Sequence, residues 1–348
     1  MIAKIEQRAT SNEPIHVVLA VYDSSGTYSQ HAGVTITSIF ENTKSKVIIH
    51  LLHDDTLTED NKKKFIRTAE KYSQTIELTD ISGYKNRLKE ITAKLNLRHW
   101  GIGTMYRLLI QDVIAADKVI YLDCDVLVNL DIKEMWDIDF EGKSLAAPHS
   151  VLYFRGCSPF SLRYYQIKML GTDIQHYFSA GVLFMNLRKI RERGNFLNDL
   201  QEWINRNYYM DFFLDQDALN SIFAGDVKYL DAKFHVYQLN EDLSDCIVHC
   251  FRSKAWKNVR GLSSERLYWK MYLLSAWGED KTPFEAAEVI LNVASKSSGN
   301  VKKSLWRRVL RKIYNHASRF VFTVSFFSLH VYSRLKYKLK ASDHNRQP

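Results

Sequence analysis

One stretch constrains this chain more than any other: Lys118-Val119-Ile120-Tyr121-Leu122-Asp123-Cys124-Asp125-Val126-Leu127-Val128. An apolar run of this length, bounded by charge, reads as a buried strand, and it carries two carboxylates one residue apart. Side chains at i and i+2 of a continuing strand point to one side. Asp123 and Asp125 can therefore converge at a strand end, where open α/β sheets place their ligands. Two converging carboxylates without thiolates suit a hard divalent cation such as Mg²⁺ or Mn²⁺. On spacing alone the plainer alternative stays open: a polar strand exit that only turns the chain.

The residues around that stretch predict its setting. Ile15–Tyr22 reads as a first strand that ends in the turn-forming cluster Asp23-Ser24-Ser25-Gly26. A helix follows through Val34, Ile36, Ile39 and Phe40, then a second strand over Val47–His53, a Lys-rich helix over 58–72 and a third strand over 75–80. This β-α-β-α-β order predicts a parallel sheet resembling a nucleotide-binding half-domain. Neither GxGxxG nor GxxxxGK[ST] occurs, so no motif supports a dinucleotide fold or a P-loop. Residues 104–116 predict a helix carrying Arg107. Further strands are expected over 144–148, 178–186 and 226–230, and helices over 188–206, 215–224 and 264–277. Residues 234–260 read as loop-rich. With 348 residues, 46% of them hydrophobic, and only 5 Pro, the chain can bury a sizeable core with little room for long linkers.

Charge is concentrated at one end. Residues 301–348 hold 12 of the 48 Lys and Arg but only one of the 39 acids, Asp343, which leaves the first 300 residues slightly acidic. Trp306, Val309, Leu310, Ile313, Tyr314, Ala317, Phe320, Val321 and Val324 recur at helical spacing, with Lys303, Arg307, Arg308, Arg311 and Lys312 between them. That pattern predicts a basic amphipathic helix on an anionic membrane surface. The apolar run over 320–333 is shorter than the roughly 20 residues a membrane span needs. A helix packed back on the body is the alternative. Nucleic acid is not expected as a partner, because no RNA- or DNA-binding module accompanies the tail. Met1–Pro14 is polar and lacks the apolar run of a secretory signal. Cys124, Cys157, Cys246 and Cys250 form no CxxC pair and fit free thiols in a reducing compartment. Cys246, His249 and Cys250 are spaced closely enough for zinc, but no fourth ligand is apparent.

Four motifs share one reading. They are Arg98-His99 followed by Met105-Tyr106-Arg107-Leu108; Tyr121-Leu122-Asp123-Cys124-Asp125-Val126-Leu127-Val128; Tyr177-Phe178-Ser179-Ala180-Gly181-Val182-Leu183-Phe184-Met185-Asn186-Leu187; and Asp215-Gln216-Asp217-Ala218-Leu219-Asn220. In this order they resemble the family 8 glycosyltransferases, retaining enzymes that include bacterial lipopolysaccharide α-galactosyl- and α-glucosyltransferases and, more distantly, glycogenin. The resemblance covers roughly residues 15–258. It implies a GT-A type nucleotide-sugar fold, a Rossmann-like mixed sheet flanked by helices. The catalytic domain would span residues 15–280, with a lead over 1–14 and the basic extension over 281–348.

The resemblance also implies roles. Asp123 and Asp125 would be metal ligands with His249 as the third, and an imidazole among oxygens fits Mn²⁺ better than Mg²⁺. Ala20 and Asp23 match a segment on the uridine side of the nucleotide. Arg107 matches an arginine that reaches donor phosphate or sugar, and a guanidinium suits phosphate geometry. Cys124, Ser179 and Ala180 fall in the donor-binding motifs, Ser179 standing where the family often has Asn. Lys254 matches the lysine of a loop that closes over the diphosphate, although the usual H-x-x-G-x-x-K-P-W is here His249-Cys250-Phe251-Arg252-Ser253-Lys254-Ala255-Trp256. Gln216 would lie beneath the anomeric carbon, with Asp215 and Asp217 holding sugar hydroxyls and the local network. The expected activity is transfer of a hexose from UDP-glucose or UDP-galactose to a glycan or lipid-linked acceptor. The expected place is the cytoplasmic face of the cell membrane. A self-glycosylating or protein-directed transferase, and an inactive nucleotide-sugar-binding module, are the alternatives.

Overall fold

The computed structural model describes residues 13–95, 101–150, 162–207, 214–237, 242–251, 254–257, 260–282, 285–286 and 288–290. Arg98, His99, Arg252, nearly all of the N-terminal lead and the whole amphipathic tail reading over 302–340 lie outside the described residues. Among those described, no helix is long and apolar enough to cross a membrane.

The first half alternates as its apolar pattern predicts through β1 (Ile15–Val21), α1 (Ser29–Asn42), β2 (Val47–His53), α2 (Glu59–Lys71) and β3 (Thr75–Asp80), and α3 (Lys85–Thr92), a helix not expected from the sequence, follows. A 3₁₀ segment over Ile102–Leu109 and the short α4 (Ile110–Val113) lead into β4 (Lys118–Leu122) and β5 (Val126–Asn129). Then come α5 (Lys133–Trp136), β6 (Leu145–Pro148), α6 (Leu162–Met169), β7 (Val182–Asn186), α7 (Leu187–Glu192), α8 (Phe196–Asn207) and α9 (Leu214–Ile222). The chain closes with β8 (Val227–Leu230), β9 (Val236–Tyr237), β10 (Cys246–His249), α10 (Ser263–Leu274) and α11 (Ala276–Glu279).

Seven strands form one sheet in the order β3-β2-β1-β4-β7-β6-β8, and β5-β10-β9 form a second. β1 pairs parallel with β2 and β4, whereas β7 runs antiparallel to β4 and β6, so the sheet is mixed. Strand alternation divides the core. Val17, Leu19, Ile120 and Leu122 face α1 and α10. Val18, Val119 and Tyr121 face the 3₁₀ segment and α8. Burial on both faces explains why these strands read as near-continuous apolar runs. Each such side chain contributes roughly 1.5–3 kcal/mol of transfer free energy. α2 is delimited chemically: the Thr58 side chain accepts from Asn61 N, Glu59 and Asp60 occupy the first turn and Lys71 the last.

Several expected elements differ. The 118–128 run is not one strand: it breaks after Leu122, turns through Asp123-Cys124-Asp125 and re-enters as β5 in the other sheet. The helix expected over 104–116 is mostly 3₁₀. The strand expected over 178–186 begins only at Val182, because 178–181 bend past the site. The helix expected over 188–206 is two, parted at Gly194, whose φ of 109° an α-helix cannot contain. The supposed loop over 234–260 contains β9 and the fully buried β10.

Candidate active site

The site is built where β4 ends. Asp123 N donates to Gly181 O at 2.9 Å, and Val126 N closes the turn on Asp123 O at 3.2 Å. The Thr35 hydroxyl of α1 holds the turn from beneath, within 3.0 Å of Cys124 O and 2.8 Å of Val126 O. β10 then pairs antiparallel with β5, His249 opposite Val126, and Cys250 N donates to Asp125 O at 2.9 Å. Backbone register thus carries His249 to two carboxylates more than 120 residues earlier in the chain. The convergence expected of Asp123 and Asp125 is real, but a turn between two sheets produces it rather than strand alternation.

Asp123, Asp125 and His249 each offer one ligand atom, all within 4.8 Å of one another. Their surroundings fit a cation. Arg107 Nη2 lies 3.0 Å from Asp123 Oδ1, which also accepts from Tyr121 OH at 2.7 Å. Lys254 Nζ donates to Asp125 Oδ2. The other oxygens turn inward: His249 Nε2 is 3.1 Å from Asp125 Oδ1 and 3.8 Å from Asp123 Oδ2. Burial alone would raise the Asp125 carboxyl, but His249 and Lys254 outweigh it and hold it below the usual range. Gly181 leaves the room: a Cβ there would stand 2.4 Å from His249 Cε1 and 2.8 Å from Asp123 Oδ2. The zinc alternative is not supported, since among the described residues Cys246 and Cys250 join no such cluster.

The N-terminus of α9 supplies the second half. Arg107 Nε lies 2.8 Å from Asp215 Oδ2, and Arg107 Nη1 donates to Ala180 O at 2.6 Å. One guanidinium therefore ties Asp123, Asp215 and the 179–181 bend together. Burial opposes its charge, but Asp123 and Asp215 hold its proton above the usual arginine range. Burial pushes the Asp215 carboxyl up to about 6, with Arg107 acting in the opposite direction. Gln216 Oε1 accepts from Ala180 N at 3.0 Å and its Nε2 donates to Tyr177 OH at 3.1 Å. Both ends of the amide are thereby fixed. Asp217 is buried behind it, taking Arg163 Nη2 at 2.6 Å and Tyr177 OH at 2.5 Å.

These side chains open on a cavity of about 710 Å³, which Ala20, Arg107, Asp123, Cys124, Asp125, Ser179, Ala180, Asp215, Gln216, His249 and Lys254 all line. Two expected site residues do not line it. Asp217 serves the network behind Gln216. Asp23 turns its carboxylate to the start of α1, accepting from Tyr28 N at 2.6 Å, Ser29 N at 3.0 Å and Asn61 Nδ2 at 3.2 Å. Cys124 lines the cavity but its thiol points back at Ala20 O, 3.2 Å away, and burial pushes its pKa far up.

Two contributors, Arg163 and His235, carry no sequence signal of their own, whereas Trp256 closes the quoted His249–Trp256 motif. Arg163 lies in the first turn of α6, outside all four motifs. His235 lies against His249, with Nε2 2.9 Å from His249 Nδ1, and burial followed by the His249 charge drives its pKa down to about 3. Trp256 stacks on His31 with centroids 3.5 Å apart, which pins the segment carrying Lys254 to α1. Asn220, quoted within the DQD motif, clamps Phe178 through its backbone N and O at 2.8 and 3.0 Å.

The mixed sheet flanked by helices is a GT-A type fold. The galactosyltransferase LgtC, solved in complex with donor and acceptor sugar analogs, shares the fold at a TM-score of 0.64 and 24% identity, covering 79% of this chain and all of that one. The bifunctional glycosyltransferase WbbM superposes at 0.61 with 20% identity, covering 82% of this chain and 52% of its own. Residues 19–256 match the glycosyl transferase family 8 model, and the chain belongs to that family. General stress protein A of Bacillus subtilis is 28% identical over 220 residues, 61% of this chain. The lipopolysaccharide 1,3-galactosyltransferase of Salmonella typhimurium is 25% identical over 225 residues, 62% of this chain. These matches span 70% and 63% of those two proteins, and a Haemophilus influenzae relative is matched over 64% of its length.

Proposed function

We propose that this glycosyltransferase moves a hexose from UDP-glucose or UDP-galactose, with retained anomeric configuration, to a glycan or lipid-linked acceptor of the lipopolysaccharide or cell-surface polysaccharide type. One observation carries the reading. Asp123 and Asp125 each give one oxygen to a fixed cation, Arg107 or Lys254, and turn the other toward His249 Nε2, beside the anchored amide of Gln216. Asp123, Asp125 and His249 would hold the cation, with Mn²⁺ favoured by the mixed oxygen and nitrogen donors. A divalent cation held there would supply neutralisation of the charge that develops on a departing diphosphate.

The chain's own groups do the rest. Lys254 stands at the cation site with burial lowering its proton affinity and Asp125 more than restoring it, so it stays charged and available to a phosphate. Arg107 sets Asp215 at the sugar end. The Gln216 amide oxygen is barely basic, which suits it to stabilise positive charge at the anomeric carbon rather than to attack it. Front-face substitution through an oxocarbenium-like state follows from that chemistry. The basic extension supports a further element, attachment to an anionic membrane surface near a lipid-linked acceptor.

The test is UDP release from a panel of UDP-sugars with Mn²⁺, with chelator and Asp125→Asn as controls. Release from UDP-glucose or UDP-galactose that both controls abolish is the expected result. Release that survives both, or release only from a donor that is not a UDP-hexose, overturns the proposal.

A further inference from the structure

We propose that His235 is the positioning residue of the cation site: its Nε2 accepts the Nδ1 proton of His249 and so presents the lone pair of His249 Nε2 to the ion. The proposal rests on the cation-binding reading given above.

Local structure brings the two rings together. His235 ends the 3₁₀ turn Ala232–Phe234, with its backbone N–H on Ala232 O at 3.1 Å. The next two residues form β9, which pairs parallel with β10 so that Tyr237 lies opposite His249. The rings meet edge-on rather than stacked, with centroids 5.1 Å apart and planes at 67°. That is the arrangement of an in-plane nitrogen-to-nitrogen hydrogen bond, here 2.9 Å long. Ser179 Oγ lies 3.2 Å from the same nitrogen of His235 and 3.4 Å from Gly181 N, which ties the pair to the bend beside Asp123.

The chemistry fixes who donates. A neutral imidazole has one N–H and one lone pair. For His249 Nε2 to ligate a cation, its proton must sit on Nδ1, and the acceptor at that position is His235 Nε2. His235 must then carry its own proton on Nδ1. That atom is buried and has no hydrogen-bond partner among the described residues. A histidine kept only for packing would turn to satisfy its polar edge. Among the described residues this one leaves Nδ1 without a partner and directs Nε2 at His249, with Ser179 Oγ beside it. Outer partners of this kind fix the tautomer and orientation of a metal-binding histidine.

The experiment is Mn²⁺ titration of the full-length protein, followed through the electron paramagnetic resonance of the free ion. His235→Leu should weaken binding about 10- to 100-fold. His235→Gln, whose amide oxygen reaches the Nε2 position, should recover most of the loss, and His235→Asn, which stops short of it, should not. Wild-type affinity in His235→Leu, or Gln no better than Asn, overturns the proposal. If His235→Leu does not fold, the Gln–Asn comparison decides alone. Equal binding by the wild type and Asp125→Asn is a different failure: it removes the cation reading itself, and this inference with it.

Discussion

Gly181→Ala tests the geometry of the site without removing any functional group. The added Cβ would sit 2.4 Å from His249 Cε1, 3.0 Å from His249 Nδ1 and 2.8 Å from Asp123 Oδ2. Ordinary carbon–carbon contact is about 3.5–4.0 Å, so the imidazole must retreat by roughly 1 Å. It has nowhere to go cheaply. His249 ends β10, which is held between β5 and β9, and its ring nitrogens are engaged by His235 at 2.9 Å and Asp125 at 3.1 Å. Overpacking of this kind costs about 1–3 kcal/mol of stability. Misplacing one ligand should weaken Mn²⁺ by about 10- to 100-fold, the scale on which disturbed metal surroundings act. Titration calorimetry with Mn²⁺ and urea unfolding read the two effects separately. Wild-type Mn²⁺ affinity in a folded Gly181→Ala protein would refute the argument that these side chains form the cation site.

Other substitutions address what surrounds the site. Arg107→Met strands buried Asp215, together with the half-buried Asp123, and should cost about 3–5 kcal/mol in urea unfolding. Arg107→Lys should not restore it, because one ammonium cannot reach Asp123, Asp215 and Ala180 O together. Gly33→Ala would drive a Cβ to 2.2 Å from the Trp277 ring and lift α11 from α1. A loss of about 1–3 kcal/mol with altered tryptophan fluorescence is expected, despite the higher helix propensity of alanine. For pH, the key group is Asp54: burial pushes its carboxyl up, but bonds from Thr56, Lys85 and Tyr106 prevail and hold it down to about 2. A depressed carboxyl stabilises the fold above its unfolded pKa near 4, and that stabilisation, about 2 kcal/mol, is lost as pH falls toward 2. Asp54→Asn should flatten this acid limb in unfolding measured between pH 5 and pH 2.

Much of this was legible in the residues. β1, β2 and β3 lie within a residue of their expected bounds because apolar runs are bracketed by charge and turn formers. The DxD, AGV and DQD motifs, which carry the family resemblance, contribute residues to three walls of the cavity. What stayed hidden depends on contacts between distant segments. β10 is only Cys-Ile-Val-His, too short to announce itself, and it is a strand because β5 supplies its partner. The split of Lys118–Val128 into two sheets is invisible in an unbroken apolar pattern. Asp23 shows the limit of matching a motif: its carboxylate faces the start of α1. His235 becomes meaningful only through its distance to His249.

The position of the cation is the most direct test of the site. Crystals grown with Mn²⁺ and UDP, measured at the manganese absorption edge, give that position without reference to activity. One anomalous peak bonded to Asp123 Oδ2, Asp125 Oδ1 and His249 Nε2 is expected, with Lys254 moved from Asp125 to the diphosphate. Bound UDP with no peak among those three atoms would contradict it.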